Sequence, residues 1–340
     1  MTGTPRKLST ASWLAIGFAL VATSFAGSAE AQAKWTLTET LRIGGEETGP
    51  TLFAWPKSVE ADAKGRIFVY EHSTQDIRMF GADGKHIRTI GRPGSGPGEL
   101  RNAEGLVITR DGKIWVRDAA NSRFSIFSGE GVYETSWRAR FCTSQGSWAP
   151  KLDRAGRIID EDCIIKENRA AGYAVLAYHT DMSRVDTIAD KPECGSKELS
   201  EAATWISKTA RGTSYRQIPW APRGTAIVTQ DADYWCALNS SRYELVRLKP
   251  GAKDTARITR AVPSVPVTSI ERDSVIASTE AKGGVEFDIY GTDGRIVATA
   301  ALGVVNNPSW LPFVVRGDNI YTIVVDQDDI PHLARFKIGR

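Results

Sequence analysis

The chain has 340 residues, with 43 Lys and Arg against 40 Asp and Glu, a formal charge of +3, and 41% hydrophobic residues. No basic run or Arg-rich helix is present to track a phosphate backbone, which excludes nucleic acid as the expected partner.

In chain order, Arg6 and Lys7 precede the apolar stretch Trp13 to Phe25, and Ala29-Glu-Ala31 and Ala31-Gln-Ala33 follow as small-x-small cleavage patterns. This reads as a secretory signal peptide over residues 1–31, because the stretch is short of the roughly 20 apolar residues of a spanning helix. No Cys follows the small residues, so a lipid anchor is not expected. Cleavage after Ala31 removes Arg6, Lys7 and Glu30 and leaves 41 basic against 39 acidic residues. The expected product is a nearly neutral periplasmic or secreted protein with no membrane span after cleavage.

From Trp35 on, the chain reads as short strands cut by turns at regular intervals. Trp35 to Ile43 alternates as a strand. Six turns then align: Asp62-Ala-Lys-Gly65, Thr109-Arg-Asp-Gly112, Asp153-Arg-Ala-Gly156, Ala221-Pro-Arg-Gly224, Glu271-Arg-Asp273 and Val315-Arg-Gly317. Each precedes a β-branched or aromatic strand, such as Ile67-Phe-Val-Tyr70 or Ile114-Trp-Val116. Second turns, at Gly81-Ala-Asp-Gly84, Ser128-Gly-Glu-Gly131 and Gly291-Thr-Asp-Gly294, suit hairpins that need positive φ. Four antiparallel strands repeating every forty to fifty residues are the signature of a β-propeller.

The expected fold is all-β, a six-bladed propeller in one domain over residues 32–340. Approximate blades fall at 53–92, 98–141, 142–190, 218–262, 263–304 and 305–340. The last supplies three strands, so strand 35–43 should complete it from outside and close the ring. An insertion at 192–217 breaks the spacing.

The segment Gly91 to Phe127 resembles NHL repeats and the six-bladed propellers built from them. The residues that carry the likeness are Gly96-Pro-Gly-Glu-Leu100, the Asp111-Gly112 turn, Ile114-Trp-Val116, and Asp118 followed by Asn121 and Arg123. The resemblance implies that Asp118 and Arg123 tie a loop to the adjacent strand, with Glu71 and Arg78 in the comparable places of blade one. Gly94, Gly96 and Gly98 are read as a flexible inter-blade loop, since no helix follows to make a phosphate site.

In such a propeller, the loops after each second strand and those between blades open on one face. Carboxylates expected there are Glu71, Asp118, Asp160-Glu-Asp162, Asp231, Asp233, Glu280, Asp326, Asp328 and Asp329. They are candidates for a hard cation such as Ca²⁺ at the channel mouth, as in propellers resembling gluconolactonases and organophosphatases. The plainer reading is architecture, because a site breaks the repeat and these recur along it. His72 and His332 are placed near this face in neighbouring blades, as candidate base or ligand residues. Trp55, Trp148, Trp220 and Trp310 recur at the start of inner strands, where they would stack on a planar ligand or wedge between blades.

Export lets thiols pair, and the even set Cys142, Cys163, Cys194 and Cys236 contains no CxxC. Of the three possible connectivities, Cys142–Cys163 and Cys194–Cys236 repeat one pattern in successive blades. No nucleophile elbow, phosphate loop or HExxH occurs. The reading is therefore a monomeric binding module for a ligand or protein partner, without evident catalysis or cofactor. The alternative is a metal-dependent hydrolase or lyase of lactonase type.

Overall fold

The computed structural model describes residues 33–34, 36–139, 141, 150–166, 169–190, 204–209, 212–217, 223–228, 234–239, 243–248, 256–260, 282–290, 296–306, 312–326, 328 and 330–339. Two strands come first, β1 (Ala33–Lys34) and β2 (Thr36–Gly44). Blade one is β3 (Pro56–Ala61), β4 (Ile67–Glu71), β5 (Asp76–Phe80) and β6 (His86–Ile90). Blade two is β7 (Gly105–Ile108), β8 (Ile114–Asp118), β9 (Arg123–Phe127) and β10 (Tyr133–Arg138), with a 3-10 turn over Ala119–Asn121. Blade three is β11 (Lys151–Leu152), β12 (Ile158–Lys166), β13 (Arg169–Tyr178) and β14 (Val185–Asp190). Each of these blades is a four-stranded antiparallel meander in chain order.

Within the 192–217 insertion, β15 (Thr204–Thr209) and β16 (Gly212–Gln217) pair as a hairpin. The next four-stranded sheet is β17 (Arg223–Val228), β18 (Tyr234–Asn239), β19 (Tyr243–Leu248) and β20 (Ala256–Arg260). Then β21 (Lys282–Tyr290) pairs with β22 (Ile296–Asn306), which also takes β1 as a parallel neighbour. The last sheet is β23 (Phe313–Arg316), β24 (Asn319–Val325) and β25 (Pro331–Gly339), completed by β2 against β25. The N-terminal strand therefore closes the final blade, as its alternation suggested. The inner strands β23, β3, β7 and β11 approach one another in that order, which sets blades six, one, two and three around the axis.

Blade-to-blade packing explains why these strands read as continuous apolar runs. The sheets of blades one and two are covered on both faces. Ile67 and Val69 of β4 face the cluster shared with blade six, with Phe80, Val314, Tyr321 and Leu333. Phe68 and Tyr70 face the cluster shared with blade two, with Leu100, Ile114, Val116 and Phe127. Trp115, Phe124 and Ile158 anchor the cluster between blades two and three. Each fully buried side chain of this size contributes on the order of 1.5–3 kcal/mol.

The turns that mark each blade have a specific construction. Asp62 Oδ1 accepts from the Lys64 and Arg66 N–H groups, and its Oδ2 pairs with Arg66 Nε at 2.7 Å. Asp153 and Arg157 repeat the arrangement, whereas in blade two the Thr109 hydroxyl donates, to the Lys113 carbonyl at 3.1 Å and to Asp111 Oδ1. Gly65, Gly112 and Gly156 then take φ of 77°, 82° and 83°, which favours glycine. Sequence 221–224 was expected to be the same turn. Instead Arg223 and Gly224 lie within β17, the edge strand of its sheet. Ala221, in the place of Asp62, has no side-chain acceptor with which to build that turn.

Candidate functional site

The two faces of the ring are built differently. On the lower face the turns of successive blades are stitched by arginines. Arg316 Nε donates to the Ala61 carbonyl at 3.2 Å and its NH2 group pairs with Glu60. Arg66 reaches Glu130 at 2.9 Å, and Arg110 donates to the Arg154 carbonyl. The upper face collects the β4–β5 and β8–β9 connections, the inter-blade loop 91–104, the start of β3 and the β24–β25 connection.

Blades one and two repeat at an offset of 47 residues, which carries Glu71 onto Asp118 and Ala54 onto Arg101. Glu71 is fully buried. Its oxygens accept from the Ala54 N–H at 3.0 Å, the Trp55 and Ser73 N–H groups at 2.8 and 2.9 Å, and the Ser73 hydroxyl. Asp118 accepts from the Arg101 N–H at 2.9 Å, from Asn121 Nδ2, from Arg123 Nε at 2.9 Å and from the Ser125 hydroxyl. Arg123 then donates to the Gly96 and Glu99 carbonyls, both at 2.8 Å, and Asn121 Nδ2 to the Gly94 carbonyl at 3.0 Å. The Gly-Pro-Gly-Glu-Leu segment, expected to be flexible, is thus pinned along its length. One expected correspondence shifts: Asp76, not Arg78, pairs across from Glu71, as Arg123 pairs across from Asp118. Arg78 sits two residues on, and reaches back to the Pro50 and Leu52 carbonyls to do the same work.

Where the offset holds the backbone but changes the side chain, the upper face acquires chemistry. Trp55 stands where blade two has Asn102, Lys57 where it has Glu104, Tyr70 where it has Arg117, and His72 where it has Ala119.

In blade one these departures form one group. The Trp55 backbone is locked, its N–H on Glu71 and its carbonyl accepting the His72 N–H at 3.0 Å, while its side chain is 57% exposed. The His72 ring meets the indole edge-on, with centroids 4.4 Å apart, and Lys57 Nζ lies 4.8 Å from the indole centroid. His72 Nδ1 is buried without a hydrogen-bond partner. Burial, and next the Lys57 ammonium, hold its pKa below the ordinary value. Burial also lowers the pKa of Lys57.

Between blades two and three lies a buried charge cluster. Arg117 is fully enclosed and pairs with Glu104, with Asp160 at 2.7 Å and with Asp162, while its guanidinium stacks 4.1 Å from the Phe141 centroid. Burial opposes the charge, but Asp160 and Asp162 outweigh it and raise the Arg117 pKa. Asp162 holds the place of Glu71 and Asp118 one blade on, and takes an arginine of the preceding blade. In blade six the equivalent residue is Val324 and carries no charge.

His332 packs under Gly44 and Gly45, where a Cβ at Gly45 would come within 2.9 Å of Cε1. Its Nε2 lies 2.8 Å from Asp326 Oδ2, and its Nδ1 is buried without a partner. The His332 hydrogen bond, followed by the Ile330 N–H, holds the Asp326 carboxyl below its usual range. Asp328 is exposed and donates its N–H to Asp326 Oδ1 at 2.9 Å. Asp231, Asp233, Glu280, Asp329, Trp148, Trp220 and Trp310 lie outside the described residues, as do Cys142 and Cys194. Cys163 and Cys236 lie in β12 and β18, the second strands of their sheets. Lys57, Glu104 and Arg117 were not among the expected site residues, although aligning blades one and two at their 47-residue offset exposes all three. Among the described residues, no three His, Cys, Asp or Glu side chains are arranged to hold a metal ion. No helix among them is long and apolar enough to cross a membrane.

Comparison with known proteins bears on the fold. Residues 52–144 match the model of the DUF5128 family, described as a 6-bladed beta-propeller. No curated protein matches the chain. Among solved structures, a DUF4221 family member from Bacteroides vulgatus is 11% identical with a TM-score of 0.50, over 91% of this chain and 99% of its own. The virginiamycin B lyase of Staphylococcus aureus is 13% identical with a TM-score of 0.47, over 89% of this chain and 99% of its own. Regucalcin from Agrobacterium tumefaciens, a calcium-binding protein, is 10% identical with a TM-score of 0.39, over 91% of this chain and 97% of its own. Sheet order, the matched family and the DUF4221 structure agree that this chain folds as a β-propeller.

Proposed function

We propose that this propeller is an exported binding module that takes a small organic ligand on its upper face, without catalysing a reaction on it. The observation that carries the reading is Trp55: a backbone held from both sides presents an indole to solvent, beside a His with an unfilled nitrogen. Rigid exposed aromatics make contact area at low entropic cost. Three of the carboxylates expected to hold Ca²⁺ are matched within the fold. Glu71 is filled by backbone N–H donors, and Asp160 and Asp162 face the Arg117 guanidinium.

A thermal-shift screen of ring-containing small molecules tests this, since a ligand that binds only the folded state raises Tm. A stabilising compound should lose its effect in Trp55→Ala and keep it in Arg110→Ala on the lower face. Lactone and phosphotriester substrates should remain intact with Ca²⁺ present. Turnover of either that EDTA abolishes would replace the binding reading with the hydrolase one.

A further inference from the structure

The blade-one group also specifies a ligand chemistry, and the argument rests on the binding reading above. Lys57, partly buried at the start of β3, makes no ion pair among the described residues; the contact of its ammonium is the indole of Trp55. Blade two has Glu104 at the same backbone position, and there the charge is matched by Arg117. Lys57 is thus a cation left without a counter-ion at a place where the neighbouring blade supplies one. Its neighbour His72 offers Nδ1, buried and unpartnered. Glu60 and Asp62, the carboxylates nearest to Lys57 in sequence, pair with Arg316 and Arg66, and Glu71, next to His72, has its oxygens filled by Ala54, Trp55 and Ser73. Trp55 adds an apolar, polarisable surface directly under the ammonium.

We propose that Lys57 and Trp55, with His72 packed against the indole, form a subsite for a ring-bearing carboxylate, with the ring laid against the Trp55 indole and the carboxylate on Lys57 Nζ. An ammonium ligand would meet Lys57 as a like charge. A neutral ring would gain the indole and leave the lysine unpaired. A charge-assisted hydrogen bond at such a partly desolvated site favours the acid over its neutral counterpart by about 1.4 kcal/mol, or roughly tenfold.

The indole Nε1–H signal of Trp55, identified in a proton–nitrogen correlation spectrum by its loss in Trp55→Phe, reports on the subsite directly. Titrations with sodium benzoate, benzyl alcohol and benzylamine separate the ring from the charge. Benzoate should shift the signal saturably, with about tenfold higher affinity than benzyl alcohol, and benzylamine should bind more weakly than either. Lys57→Met should reduce benzoate affinity about tenfold and leave benzyl alcohol unchanged, while its Tm stays close to that of the parent chain. The proposal is overturned if benzyl alcohol or benzylamine matches benzoate, if Lys57→Met binds benzoate as the parent does, or if benzoate leaves the signal unmoved up to solubility. In any of these cases, a screen ligand that still requires Trp55 keeps the binding reading, so the two fail separately.

Discussion

Glu71, Asp118 and Asp162 stand at one position of three successive blades, and each is used differently. The first two close their own loops with backbone N–H donors; the third receives Arg117 from the blade before. A carboxylate on two or three N–H donors needs no metal to be stable in a buried place. Glu60 is the exception to this matching. Burial pushes its pKa up to about 7 against the pull of Arg316, and Lys151, at the same inner-strand position of blade three, is the further charge facing it. The folded chain therefore binds this proton more tightly than the unfolded one. Its contribution is fully present below the unfolded pKa of 4.5 and is lost as the pH rises through 7. Stability should fall by about 3 kcal/mol from this group as the pH rises from about 4 to 8. Urea unfolding across that range should show the decline in the parent chain and a flatter profile in Glu60→Gln; parallel profiles would count against it.

At the scale of elements, the strands of blades one and two were legible because burial on both faces writes a continuous apolar run, as in Ile67-Phe-Val-Tyr70. The closing role of strand 36–44 was legible too, because a three-stranded last blade leaves an edge that only an extra strand can fill. The turn at 221–224 was misread because a lone Gly resembles a turn, whereas the working device three residues earlier is an Asp acceptor in blades one and three and a Thr donor in blade two. The candidate site was harder to see. Lys57, Glu104 and Arg117 are ordinary charged residues in sequence, and their meaning comes from which blade they face.

The cysteines also belong to this scale. Cys163 and Cys236 lie within the second strands of successive four-stranded sheets, not in the loops after them as expected, and the bridges Cys142–Cys163 and Cys194–Cys236 remain a proposal. Each would contribute on the order of 3 kcal/mol by restricting the unfolded chain. Non-reducing peptide mapping of protein secreted under oxidising conditions should recover these two linked pairs; a Cys163–Cys194 peptide would defeat the assignment.

Across the whole molecule the division of labour follows the two faces. Turns and arginines stitch the lower face, from Arg316 on Ala61 to Arg110 on Arg154. The upper face is where blades one and two part company, at Trp55, Lys57, Tyr70 and His72 against Asn102, Glu104, Arg117 and Ala119. A repeat supplies rigidity, and its departures supply specificity. The claim that ligand binding belongs to the upper face is tested most directly by hydrogen exchange, read by mass spectrometry with and without a saturating ligand from the thermal screen. Added protection should concentrate in 50–57, 71–76 and 101–104 and be absent from the turns 62–65, 109–112 and 153–156. Protection confined to those turns, or spread evenly around the ring, would contradict the account.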